Sequence, residues 1–333
     1  MIFFKKRPFV SVIIPFRNEE GDLARAIKSA KSDDAEIIAV DDHSTDRSRE
    51  IAEYLAAKDP RIKVVDCAGT GIAAARNTGL DFARGKYVMW CDADDWLAPR
   101  AISAMTAAIE ESGADFAVCN IKLVRRGKIS ASRKRQTTNG WFSNKISGPV
   151  KIGEITIWRM NKVLWNKIFR LDKIRRESLR FAPLLMSEDV AFVTEYAMLS
   201  RKARFIDDKL YNYVLREDST MGKFYRHGDP YECARAALHI LQFVRARRLE
   251  HFEAFAESTL ENETLIADMR TRARLKATAR HMKSLMKKID AADEGELARI
   301  AHELETAKAN DPVLDRRRFH NEKKNPPGGG LFR

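Results

Sequence analysis

Three carboxylates stand within four residues at Asp92-Ala93-Asp94-Asp95, directly after the apolar run Val88-Met89-Trp90-Cys91 and before Trp96, Leu97 and a breaking Pro99. Carboxylates this close repel one another. A hard divalent cation, Mg²⁺ or Mn²⁺, relieves the repulsion, because it takes few protein oxygens and keeps places for substrate phosphates. The same residues could also be a solvated acidic turn ahead of a helix starting near Pro99, since short motifs recur by chance. A second acidic pair, Glu188-Asp189, precedes the run Val190 to Leu199. The pair could cap a helix, as could Ser187.

The elements that must position these groups alternate along the first third of the chain. Val10 to Pro15 reads as a strand, Leu23 to Ala30 as a helix and Glu36 to Val40 as a strand. Ser44 is an N-cap candidate for a helix through Ile51 and Leu55; Ile62 to Val65, Gly71 to Ala83 and Tyr87 to Cys91 continue the pattern as strand, helix and strand. Such repetition predicts an α/β fold with a mostly parallel sheet covered by helices. Ligands of these sheets bind outside the carboxyl ends of the strands, where the strand order switches. Polar clusters fall there: Pro15-Phe16-Arg17-Asn18-Glu19, Asp41-Asp42 and the Asp92 to Asp95 turn. Each alone could be ordinary loop chemistry. Arg76 could flank a diphosphate or decorate a helix face.

The 333 residues suit one large domain or a core with an appendage, and 44% hydrophobic content argues against a disordered chain. Lys+Arg 60 against Asp+Glu 47 gives a net charge of +13, which implies an anionic partner. Cys67, Cys91, Cys119 and Cys233 lack C-x-x-C spacing, so neither a zinc site nor a disulfide framework is indicated and a reducing cytoplasm is expected. Met1 to Pro8 is too short an apolar piece for a signal peptide, and no later run approaches a membrane span, so a soluble or peripheral protein is expected.

The series VSVIIPFRNEE, VDDHSTD, AAARNTGLDFARGKY and CDADDW, in that order, resembles the family 2 glycosyltransferases. The segments Leu164 to Arg170, Ser187 to Phe192 and Leu210 to Thr220 are similar to downstream motifs of the same group. The resemblance implies a GT-A fold and transfer of a sugar from a nucleotide-sugar, commonly a UDP-sugar, with inversion at the anomeric carbon. It implies that Asp189 is the general base, accompanied by Glu188. It places Pro15, Arg17, Asn18, Glu19, Asp42, Arg76, Asp92, Ala93 and Asp94 around the nucleotide-sugar, with Asp42 on the uracil and Asp94 on the ribose or metal. Asp94 and Asp95 are the metal candidates, for Mn²⁺ or Mg²⁺. Trp96, Trp165, Lys167 and Arg216 are candidates for the acceptor or phosphate side, although Trp165 could simply be core. His43 stands where the family usually has Gly, and no Gln lies between Ala30 and Glu36.

Residues 1–228 are thus expected to form the catalytic domain, 229–324 a basic helical extension and 325–333 a disordered tail. The polar, basic stretch from Arg125 to Lys151 could be an active-site lid or a surface insertion. Leu275, Ala279, Met282, Met286 and Ile289 make an apolar stripe flanked by Lys and Arg, which could lie on an anionic membrane or pack on the neighbouring domain. The expected partners are a UDP-sugar and a glycan or lipid-linked acceptor, in cell-surface polysaccharide synthesis at the inner face of the cell membrane. A non-catalytic nucleotide- or nucleic-acid-binding protein is the alternative. The dispersed basic residues and the lack of a nucleic-acid motif argue against nucleic acid.

Overall fold

The computed structural model describes residues 8–125, 146–216, 231–263 and 267. The basic stretch after Arg125, the Glu217 to Thr220 end of the last motif, the amphipathic stripe from Leu275 and the tail lie outside them, 146–151 excepted. The chain divides into two compact units, Met1–Glu217 with Arg235–Leu260, and Asp218–Ala234 with Glu261–Arg333. The first carries all that follows.

Its strands are β1 (Val10–Phe16), β2 (Ala35–Asp41), β3 (Ile62–Asp66), β4 (Tyr87–Trp90), β5 (Trp96–Leu97), β6 (Phe116–Arg125), β7 (Gly148–Lys151), β8 (Lys167–Arg170) and β9 (Lys202–Leu215). The helices used below are α1 (Leu23–Ser29), α2 (Ser48–Lys58), α3 (Ile72–Phe82), α4 (Ala101–Ser112), α5 (Glu154–Arg159), α6 (Leu171–Arg176), α7 (Glu188–Met198) and α8 (Glu232–Ala246). The sheet runs β3-β2-β1-β4-β8-β6-β9-β5, with β7 also on β9. The first four strands are mutually parallel, and the long β6–β9 ladder is parallel too. The short strand β8 enters antiparallel between β4 and β6. The mostly parallel α/β sheet is therefore as expected, with an antiparallel insertion that the sequence did not announce.

Every residue of β1 and β2 is buried. This is why both read as continuous apolar runs: each is covered on both faces. Alternate residues serve opposite layers. Ile13, Ile38, Val40, Val88 and Trp90 pack with residues of α3, α7 and α8, whereas Val12, Ile14, Ile37, Ala39 and Met89 pack with residues of α1, α2 and α4. Gly79 permits α3 to lie tight on β1, since a Cβ there would collide with the Ile13 side chain.

The edge that carries the polar clusters opens for a local reason. Ile13 O accepts the Cys91 N–H at 3.0 Å, and β1–β4 pairing ends at Ile13 with Trp90. The next β1 donor on that side would belong to residue 15, a proline with no N–H. Beyond it β4 leaves β1, and the Asp92 turn lies at the switch in strand order.

Candidate active site

Three loops meet at this edge. In the first, Asn18 sits at φ 54°, and its Oδ1 accepts the Thr45 N–H at 2.7 Å. Asn18 N–H donates to Ser44 Oγ at 3.2 Å, and Glu19 N–H to Ser48 Oγ at 2.7 Å. The loops after β1 and β2 are thereby laced together. This corrects the capping expectation: α2 begins at Ser48, with Arg47 at the N-cap, and the Ser44 hydroxyl serves Asn18 instead. Pro15 is buried within β1, and Arg17 is exposed.

Asp42 follows β2 and is buried. Both of its oxygens accept the Gly71 N–H, each at 3.1 Å, which fastens the loop ahead of α3. Arg17 approaches it to 3.9 Å and His43 Nδ1 to 3.3 Å. His43 holds φ 59°, in the left-handed region that a glycine would enter more easily.

The acidic turn follows β4. Asp92 and Asp94 are partly exposed, with side chains at 28% and 21%, and Ala93 is buried between them. Two guanidinium groups oppose these carboxylates. Arg76, buried on α3, reaches Asp92 at 3.3 Å and also pairs with Glu188. Arg216, after β9, reaches Asp94 at 3.1 Å and Glu19 at 2.6 Å. Arg25 donates to the Asp94 carbonyl at 2.8 Å while its guanidinium lies 4.2 Å over the Trp96 ring. Burial, followed by the neighbouring Asp92 charge, pushes the Asp94 carboxyl up to about 6, against the pull of Arg216.

Asp95 departs from expectation. It is fully buried, its Oδ1 accepts the Val214 N–H at 2.7 Å and its Oδ2 accepts the Tyr211 hydroxyl at 2.9 Å. A carboxylate so enclosed does not reach the crevice, and the placement removes it from the metal candidates. Two other expectations also change. Trp165 is buried and stacks on Tyr211 at 4.4 Å and on Tyr213 at 5.0 Å, so its ring is occupied by aromatic neighbours and not open to a sugar. Lys167 is fully buried, donating to Val163 O and to Asn166 Oδ1 at 2.8 Å, and burial pushes its ammonium down to about 7. The residue acts inside the fold.

Glu188 and Asp189 open α7, with Ser187 before them at φ 63°. Burial pushes both carboxyls up, and the Arg76 charge is the largest influence pulling them back. Asp189 is half-buried, and its Oδ1 accepts the Val190 N–H at 2.9 Å.

Among the described residues no group of three or more His, Cys, Asp or Glu side chains is gathered to hold a metal ion. The donor set nevertheless suits Mg²⁺ or Mn²⁺. Such ions are held by one or two carboxylates together with substrate phosphates, and Asp94, with Asp92 beside it, offers that pair.

Residues 11–174, which contain the three loops, match the family described as Glycosyl transferase family 2. These 164 residues, just under half of the chain, form a glycosyl transferase family 2 segment. It is 30% identical over 225 residues to the uncharacterized glycosyltransferase YibD of Escherichia coli K12, covering 66% of this chain and 65% of YibD. It is 29% identical over 218 residues to the uncharacterized glycosyltransferase EpsJ of Bacillus subtilis 168, covering 62% and 61%. The chain thus spans slightly less than two thirds of these relatives. Among solved structures it resembles S. aureus TarS 1–349 in complex with UDP-GlcNAc, with a TM-score of 0.60 at 23% identity over 77% of this chain and 71% of that one. It also resembles the mannosyltransferase PcManGT of Pyrobaculum calidifontis in complex with GDP-Man and Mn²⁺, with a TM-score of 0.53 at 19% identity over 91% and 81%. The chain therefore has a GT-A fold.

Sequence reasoning missed Arg25 and the role of Tyr211. Both act over long sequence separations, 69 residues from Arg25 to Asp94 and 116 from Tyr211 to Asp95, and no local spacing announces either contact.

Proposed function

We propose that this crevice binds a nucleotide-sugar and transfers its sugar, with inversion, to a hydroxyl of a glycan or lipid-linked acceptor. The observation that carries the reading is Arg76, which joins the acidic turn at Asp92 to Glu188 beside Asp189 and so brings both acidic motifs into one site. UDP and GDP donors are both represented among the structural neighbours. The UDP expectation rests on the motif resemblance.

In this reading Asp42 recognises the base, held ready by the Gly71 N–H. Asp92 and Asp94 face the ribose and diphosphate, and Asp94 would hold the divalent ion. When bound, that ion supplies positive charge against the leaving diphosphate. Arg76 and Arg216 supply fixed positive charge on the same side. Asp189 takes the proton of the acceptor hydroxyl as the oxygen attacks the anomeric carbon. The raised affinity of Asp189 for a proton, caused by burial, suits a base more than an ordinary surface carboxylate would. No described helix is long and apolar enough to cross a membrane. Work at the inner face of a membrane, with contact through residues beyond Arg274, is part of the proposal.

The test is hydrolysis of a panel of UDP- and GDP-sugars with Mn²⁺, with Mg²⁺ and with chelator, in the absence of acceptor. Metal-dependent release of nucleoside diphosphate from one donor supports the reading and names the sugar. No release from any donor and no UDP or GDP binding would leave a binding protein of another kind.

A further inference from the structure

Asp95 belongs to the acidic turn by sequence, but its chemistry points inward. Its N–H donates to Asp92 O at 3.1 Å, which closes the turn. Tyr211 OH accepts the Asp92 N–H at 3.1 Å and donates to Asp95 Oδ2 at 2.9 Å. The hydroxyl therefore ties the first residue of the turn to the last. The remaining oxygen, Asp95 Oδ1, accepts the Val214 N–H at 2.7 Å. Tyr211 and Val214 both lie on β9, where β6 fixes their register opposite Ile121 and Val124. Trp165 stacks on the Tyr211 ring at 4.4 Å, and Tyr211 and Asp95 are both fully buried. The conformation of the Asp92–Asp95 turn is thus set by a hydrogen-bonded ring built on a neighbouring strand.

We propose that Asp95 and Tyr211 are positioning residues for the metal, holding the turn in the one shape that presents Asp92 and Asp94 to the ion without touching it themselves. This rests on the reading of Asp94 as the metal-binding carboxylate. The reason lies in the ligand chemistry. A small divalent ion tolerates little error in the placement of its oxygens, and the Arg76 and Arg216 guanidinium groups hold the Asp92 and Asp94 carboxylates but not the backbone of this four-residue turn. The ring holds that backbone, and a direct-ligand role is closed to Asp95 because both of its oxygens are already engaged.

The experiment uses the full chain and measures Mn²⁺ binding in the presence of UDP, UDP binding in chelator, and thermal melting. Tyr211→Phe keeps the stacked ring but removes the hydroxyl, and it should weaken Mn²⁺ binding by about tenfold, the scale on which supporting partners of metal ligands act. UDP binding in chelator should be unchanged. Asp95→Asn keeps an acceptor for Val214 and should weaken Mn²⁺ binding less than Asp94→Asn does. Wild-type Mn²⁺ affinity in Tyr211→Phe would overturn the proposal even if the variant melts lower, since a purely structural role would move melting alone. An Asp95→Asn loss equal to that of Asp94→Asn would overturn it in favour of a direct ligand. Should Tyr211→Phe not fold, Asp95→Asn decides: an intermediate loss of Mn²⁺ affinity supports the proposal, and either wild-type affinity or a loss equal to that of Asp94→Asn overturns it. Wild-type protein whose UDP binding ignores Mn²⁺ would instead defeat the metal reading beneath the proposal, a result visible before any variant is made.

Discussion

Arg76 and Glu188 form a buried ion pair across 112 positions of sequence, from the third helix of the sheet layer to the first turn of α7. The same guanidinium reaches Asp92. A cation removed from water is costly unless its partners are close and well aligned, so this residue is held by geometry and not by propensity. Its position fixes the distance between the acidic turn and the Glu188-Asp189 pair.

Arg76→Met tests that link. Removing one member of a buried pair strands the other, and the expected loss is about 3 kcal/mol of stability, read by urea denaturation. The double variant Arg76→Met, Glu188→Gln removes the charge stranded at the buried Glu188, although Asp92 still loses its partner, and should recover most of that stability without recovering sugar transfer. If it recovered both, the pair would be only a structural strut.

Asp94→Ala and Asp189→Asn should separate binding from chemistry. The first should abolish metal-enhanced binding of nucleotide. The second should leave that binding intact and lower transfer by about 10²-fold or more, the usual contribution of a positioned base. Near-normal turnover in Asp189→Asn would show that another group takes the proton.

What the sequence made legible follows from which interactions are local. Continuous burial gave β1 and β2 their apolar runs, and the strand-end rule placed Asp42, Asp92 and Asp94 on one edge. The four residues of β8 carry no sign of direction, because antiparallel pairing depends on partners far away in sequence. Ser44 has the chemistry of an N-cap, yet Asn18 on another loop competes for its hydroxyl. Asp95 and Lys167 were expected at the metal and on the acceptor or phosphate side, whereas partners on β9 and at Asn166 and Val163 engage them inside the fold. Trp165 turned out as its apolar neighbourhood suggested, a core ring.

Gly79→Ala probes the close approach of α3 to β1. Alanine favours a helix over glycine by up to about 1 kcal/mol, so propensity alone predicts stabilisation. The added methyl, however, would collide with Ile13, which is fully buried. Overpacking of this kind costs about 1–3 kcal/mol, so a net loss is expected in denaturant melts.

The last prediction concerns pH and stability. His239 on α8 meets Glu195 on α7 at 3.0 Å, and Glu195 is buried. The hydrogen bond to Glu195 raises the His239 pKa, while burial raises that of Glu195. A histidine raised on folding contributes stability that is full below its unfolded value, about 6.5, and is lost as pH climbs through the folded value. A buried carboxyl raised on folding acts in the same direction, since the unfolded chain releases that proton first. The melting temperature should therefore fall as pH rises above about 6.5, with the histidine losing its proton and leaving Glu195 buried without its cationic partner. Glu195→Gln removes both effects and should flatten this part of the curve. Parallel wild-type and Glu195→Gln curves across that range would show that the contact contributes nothing to folding.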